Sequence, residues 1–158
     1  MQIDIYTDGS SKGNPGPGGY GAILKFKDKE KELSEGFRKT TNNRMELLAV
    51  IVALEAVKST DFPITIYSDS KYVIDAIEKG WVFNWNSKGF QGKKNKDLWK
   101  RYLSLHQRLK PKFVWVKGHA GHYYNERCDK LAVKAAEQEN LKVDDWFEKE
   151  INLNQGLF

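Results

Sequence analysis

Apolar and polar residues alternate from the start of the chain. Ile3, Ile5 and Thr7 fall on one face and Asp4, Tyr6 and Asp8 on the other, which predicts a strand ending near Asp8. Ala22 to Phe26 and Leu33 to Phe37 predict two further strands, joined by a charged hairpin over Lys27 to Lys31. Residues 9–21 hold six of the thirteen glycines and two of the four prolines, a composition that reads as a turn region. From Arg44 to Lys58 the period becomes helical, behind Thr41-Asn42-Asn43, whose side chains suit an N-cap. This segment is apolar nearly all round between Met45 and Leu54, so the helix is predicted to be buried centrally. A short buried strand at Ile64 to Tyr67 and a helix around Lys71 to Glu78 follow. Trp81 to Lys94 reads as irregular or short-helical, Asp97 to Leu109 as a helix and Phe113 to Val116 as the last strand. Asn125 to Glu139 predicts a final helix, and residues 141–158 an acidic, loosely held tail that is no separate domain. The order β-β-β-α-β-α-α-β-α predicts an α/β fold, a mixed sheet with helices packed on it, as one domain over 1–140.

Composition narrows the functional classes. The 158 residues are 40% apolar, enough for a sizeable core, and contain a single cysteine, Cys128. An internal disulfide framework and a cysteine-rich zinc site are thereby excluded. The longest apolar run, Leu47 to Leu54, is too short to cross a bilayer, and no secretory signal is visible. A cytoplasmic protein with no membrane partner is expected. The net charge of +5 is unevenly spread: Lys79 to Lys117 carries eleven Lys or Arg and one acid, Asp97. Trp81, Trp85, Trp99 and Trp115 lie in the same stretch, beside Phe83, Phe90 and Phe113. Cations interleaved with planar side chains suit a nucleic-acid partner, as well as an ordinary solvated face over core aromatics.

Two patterns compete for the chemistry. Gly16-Pro17-Gly18-Gly19-Tyr20-Gly21 formally matches a dinucleotide fingerprint, but its glycines run into a strand where the fingerprint needs a helix. Dinucleotide binding is rejected. Four acids are more telling. Asp8 and Asp69 end predicted strands, Glu46 sits on an apolar helix face, and Asp129 lies near the start of the last helix. Each alone reads as a turn residue or a helix-dipole partner. Brought together, they suit Mg²⁺ or Mn²⁺, which prefer oxygen ligands.

The longer motifs carry a resemblance. Thr7-Asp8-Gly9-Ser10, Gly13-Asn14-Pro15-Gly16-Pro17-Gly18-Gly19-Tyr20-Gly21 and Thr40-Thr41-Asn42-Asn43-Arg44-Met45-Glu46 are similar to blocks of the type 1 ribonuclease H family. So are Ser68-Asp69-Ser70, Asn95-Lys96-Asp97-Leu98-Trp99, Trp115-Val116-Lys117-Gly118-His119-Ala120-Gly121-His122 and Asn125-Glu126-Arg127-Cys128-Asp129. The blocks run in the family's order over most of residues 3–136.

The resemblance implies a ribonuclease H-like fold, a five-stranded mixed sheet with three antiparallel strands plus parallel strands, flanked by helices. It implies a monomeric endonuclease that cuts the RNA strand of RNA–DNA hybrids, leaving 5′-phosphate and 3′-hydroxyl ends. The implied catalytic carboxylates and metal ligands are Asp8, Glu46, Asp69 and Asp129, with two Mg²⁺ ions in the catalytic complex and Mn²⁺ as an alternative. His119 matches the catalytic histidine. His122 and His106 read as surface residues.

Asn14, Asn42 and Asn43 match positions near the RNA strand, and Thr41 and Asn95 match a pocket for a DNA-strand phosphate. Lys71 stands where bacterial members often have Gln, which changes one contact. Trp81 to Lys94 corresponds to a basic protrusion that holds the DNA strand, with Trp85 and Phe90 at its aromatic positions. Lys88, Lys93, Lys94 and Lys96 supply its charge. This handle is shorter here, with Asn86 and Ser87 at two basic positions, so a weaker grip is expected. Trp81 and Trp99 read as residues closing a helix junction. The first strand begins within two residues of the N-terminus, so affinity is expected from this one domain. A hybrid-binding module without activity and a DNA-acting nuclease of the same fold are the alternatives.

Overall fold

In the computed structural model, which describes residues 1–118 and 121–155, three strands form an antiparallel meander. These are β1 (Ile3–Ser11), β2 (Gly16–Phe26) and β3 (Lys29–Thr40). On the other side of β1 lie β4 (Ile64–Ser68) and β5 (Lys112–Trp115), paired in parallel, so the sheet order is β3-β2-β1-β4-β5. The five-stranded mixed sheet expected from the sequence is present. The described helices are α1 (Asn42–Glu55), α2 (Lys71–Glu78), α3 (Trp81–Ser87), α4 (Lys96–Leu109), α5 (Tyr123–Ala136) and α6 (Asp145–Gln155). None is long and apolar enough to cross a membrane.

The central helix starts where its cap predicts. Thr41 is extended, and its hydroxyl accepts the Arg44 backbone N–H at 3.2 Å. Nearly every residue from Arg44 to Leu54 is buried, because α1 packs on one face of the sheet while α2 and α4 cover its other sides. The opposite face of the sheet receives α5.

Gly16 to Gly21 form strand rather than turn, which corrects the expectation for residues 9–21. A side chain on Gly19, Gly21 or Gly36 would run into the backbone of α5. These glycines thin the sheet so that α5 lies directly on β2 and β3. The β2–β3 connection is also tighter than expected. Phe26 pairs with Lys29, leaving a two-residue turn with Lys27 at φ 57°.

The C-terminal segment is not loosely held. Lys142 donates its backbone N–H to Gly36 O and accepts from Arg38 N, both at 2.9 Å, which docks the chain on the edge of β3. Asp144 is buried, and α6 follows it. Among the aromatics, Trp99 is fully buried as expected, whereas Trp81 is 46% exposed with Lys79 Nζ 5.2 Å from its ring centroid. Trp81 therefore does not close the helix junction.

Candidate active site

Parallel pairing sets the first two acids side by side. Tyr6 on β1 is opposite Tyr67 on β4, and their rings stack at 4.8 Å. Asp8 and Asp69 each lie two residues further along, so their side chains leave the neighbouring strand ends on the same side. Glu46 arrives from the other face. A side chain on Gly9 would lie 2.9 Å from the Glu46 Cα and closer still to its backbone nitrogen. The bare strand at Gly9 is the window through which α1 brings Glu46 against Asp8.

Carboxylate oxygens of Asp8, Glu46 and Asp69 consequently lie within 4.8 Å of one another, with Asp8 and Glu46 buried and Asp69 half-buried. Gly118 completes the pocket, because a Cβ there would sit 2.8 Å from Asp69 Oδ2. Asp129, half-buried on α5, is outside this tight cluster. It approaches from the face that Asp8 shares, near enough for its charge to act on Asp8. His119 lies outside the described residues.

Burial and mutual repulsion make the cluster reluctant to ionise. Burial, then the Asp69 charge, pushes Asp8 up to about 8. Burial, then the charges of Asp8 and Asp69, holds Glu46 well above the usual carboxylate range. The Asp8 carboxylate accepts the Gly9 backbone N–H at 2.9 Å, while buried Glu46 Oε2 has no hydrogen-bond partner. Buried carboxylates left unpaired are costly, and a divalent cation with oxygen preference is the partner this donor set fits.

Six of the ten expected substrate residues gather along one cleft of about 390 Å³. Asn14, Thr41, Asn43, Lys93, Lys94 and Asn95 all line it. Asn14 Oδ1 accepts the Asn42 backbone N–H at 3.1 Å, which ties the β1–β2 turn to the start of α1. Asn95 donates to Tyr72 Oη at 2.9 Å and accepts from Arg44 Nη1 at 3.3 Å, leaving its second amide hydrogen for the cleft. Lys71 starts α2 with its Nζ 4.4 Å from the Trp115 ring centroid. In the handle, Lys93 Nζ lies 5.2 Å from the Trp85 ring centroid. Phe90 is a correction. It is 3% exposed, turned into the core at φ 59°, and so anchors the handle from inside instead of meeting a ligand.

Several residues that matter were not singled out by sequence. Gly9 and Gly118 flank Asp8 and His119 in the chain, and that adjacency is the one available signal. His122 is half-buried and caps α5 by accepting the Asn125 N–H at Nδ1, 3.3 Å away. It thereby orients the helix that carries Asp129. His106 is on α4, half-buried, 2.8 Å from Tyr102 Oη, and burial lowers its basicity. Arg44 is 2% exposed and gives all five N–H donors to Asp97, Asp144 and Asn95, at 2.7–3.3 Å. It is a structural ion-pair centre, not a ligand contact.

The fold has counterparts among known proteins. The RNase H family model matches residues 1–137, and the chain belongs to this family. It is 55% identical over 148 residues to the ribonuclease H of Desulforamulus reducens, covering 90% of this chain and 92% of that one. The ribonuclease H of Rippkaea orientalis is 50% identical over 161 residues, covering 99% and 95% of the two chains. Among solved structures, LC9-RNase H1, a type 1 RNase H with the type 2 active-site motif, matches with TM-score 0.77 and 33% identity. That match covers 85% of this chain and 72% of the other. LC11-RNase H1, solved in complex with RNA/DNA hybrid, matches with TM-score 0.66 and 26% identity over 85% and 96% of the two chains. As an RNase H, the chain is a divalent-metal nuclease by family, and its acidic cluster is of a kind that holds such an ion.

Proposed function

We propose that this chain hydrolyses the RNA strand of RNA–DNA hybrids endonucleolytically, with two Mg²⁺ ions, leaving 5′-phosphate and 3′-hydroxyl ends. The observation that carries the reading is the approach of Asp8, Glu46 and Asp69 to within 4.8 Å at the end of β1 and β4, with Lys93 and Lys94 lining a cleft that also takes in the start of α1, the helix of Glu46. Membership of the RNase H family and the hybrid bound by LC11-RNase H1 supply the substrate class.

The metal ligands would be Asp8, Glu46, Asp69 and Asp129, with Mn²⁺ as the alternative ion. Divalent ions held there would activate water and offset charge on the reacting phosphate. The remaining work falls to the chain itself. Because burial and mutual repulsion favour the protonated forms of Asp8 and Glu46, a metal would compete with protons there and its affinity would depend on pH. Asn14, Asn42 and Asn43 present amides and backbone groups suited to 2′-hydroxyls, the feature that separates RNA from DNA. Thr41 and Asn95 line the place for a phosphate, Lys71 exchanges a hydrogen bond for a charge at its contact, and Trp85, Lys93 and Lys94 hold the DNA strand. His119 is assigned to proton transfer or to help in product release, because an imidazole ordinarily titrates near neutral pH.

The test is a pair of measurements on Asp69→Asn. Cleavage of a labelled hybrid in Mg²⁺ should vanish, while hybrid binding measured in Ca²⁺ stays close to wild type. Binding that collapses with cleavage would make Asp69 a fold or substrate residue, and residual cleavage would remove it from the metal set.

A further inference from the structure

Beyond the residues that the family model matches, α6 lies across the substrate cleft and supplies its second wall. Trp146, Phe147, Glu150, Ile151 and Asn154 line the same cleft as Lys93 and Lys94. We infer that α6 is a nucleic-acid-binding element, along which the strand held by Lys93 and Lys94 continues, with Asn154 beside a backbone phosphate. This rests on the proposed hybrid substrate and extends it to a part of the chain with no other assigned role.

Three observations support it. The wall is rigidly placed. Asp144, immediately before α6, accepts from Arg44 Nε at 2.7 Å and from the Thr40 hydroxyl at 2.8 Å. Glu148 pairs with Arg38 at 2.9 Å. The Arg44 guanidinium also lies 5.3 Å from the Trp146 ring centroid and 5.7 Å from that of Phe147. The same guanidinium thus fixes α1, which carries Glu46, and the rings of α6. Second, the same cleft is lined by Asn14, Thr41 and Asn43, and Thr41 caps α1, the helix that carries Glu46. Third, half-buried Phe147 and Ile151 offer the sugars of that strand an apolar surface. Lys93 and Lys94 of the handle line the same cleft.

The helix contains its own control. Asn154 and Asn152 are both exposed, but only Asn154 lines the cleft, since two residues turn a helix by more than half a revolution. Asn154→Lys and Asn152→Lys add the same charge to the same helix. Hybrid affinity is measured in Ca²⁺ against salt, beside cleavage in Mg²⁺. Asn154→Lys should bind about five- to tenfold tighter at ~0.1 M salt and steepen the salt slope by about 0.9, as one added phosphate contact does. Asn152→Lys should match wild type. Equal gains in both variants would reduce the effect to general attraction, and no gain in Asn154→Lys would take the strand off α6. Either result overturns the inference. A wild type that neither binds nor cuts the hybrid would instead defeat the proposed function itself, so the two failures are separable.

Discussion

Replacing Asp8 by Asn should destroy cleavage and, without divalent metal, stabilise the fold. Asp8 is 5% exposed and its carboxylate is one of three within 4.8 Å. At that spacing a fully charged pair repels by about 3 kcal/mol for an effective dielectric constant near 20. Of the neighbouring charges, that of Asp69 acts most strongly on Asp8, while burial holds Glu46 well above the usual carboxylate range. Relief of ~2 kcal/mol follows, a rise in Tm of about 4–8 °C for a domain of this size. The sign with pH is fixed by the raised acidities. Asp8 binds its proton more tightly folded than unfolded, so the wild type is most stable below the unfolded value near 4 and loses stability as pH rises towards about 8. The advantage of Asp8→Asn should therefore be small at pH 4 and full near pH 8. Thermal melts followed by circular dichroism in EDTA, from pH 4 to 8, measure it. Millimolar Mg²⁺ should stabilise the wild type more than the variant. A variant no more stable at pH 8, or one whose advantage grows as pH falls, would refute the electrostatic account of the cluster.

Gly9→Ala should push α1 away from β1, costing about 1–3 kcal/mol in denaturant titrations and lowering kcat at least tenfold, since Glu46 moves with the helix. Arg44→Lys keeps the charge but cannot reproduce two bidentate pairs, so a loss of about 2 kcal/mol is expected. Limited proteolysis should then cut within residues 141–155 faster than in the wild type. Replacing Lys93 and Lys94 together by Ala should raise KM with kcat little changed and lower the salt slope of hybrid binding by about 1–2. An unchanged slope would take the handle out of substrate binding.

The acids were legible in sequence because each breaks a local pattern: a carboxylate after a strand, or one on an apolar helix face. Their convergence was not. It depends on β1 and β4 being parallel neighbours in the register Tyr6 to Tyr67, which no local pattern encodes. The glycines between Gly16 and Gly21 misled for a related reason. Composition marks them as turn formers, but Gly19 and Gly21 let α5, distant in the chain, lie on the strand. The tail misled because its polar composition conceals one buried residue, Asp144, whose partner Arg44 lies 100 residues away in the chain. Phe90 and Trp81 show the limit of reading aromatics by position. Adjacent stretches of one basic segment put the first in the core and the second in solvent.

Product analysis on an end-labelled RNA–DNA hybrid of defined sequence, with Mg²⁺ titrated from zero, tests the central claim most directly. Internal cuts confined to the RNA strand, with 5′-phosphate and 3′-hydroxyl ends and no turnover without metal, are the predicted result. Equal cutting of an all-DNA duplex, or binding of the hybrid with no cleavage at high enzyme and saturating metal, would contradict it.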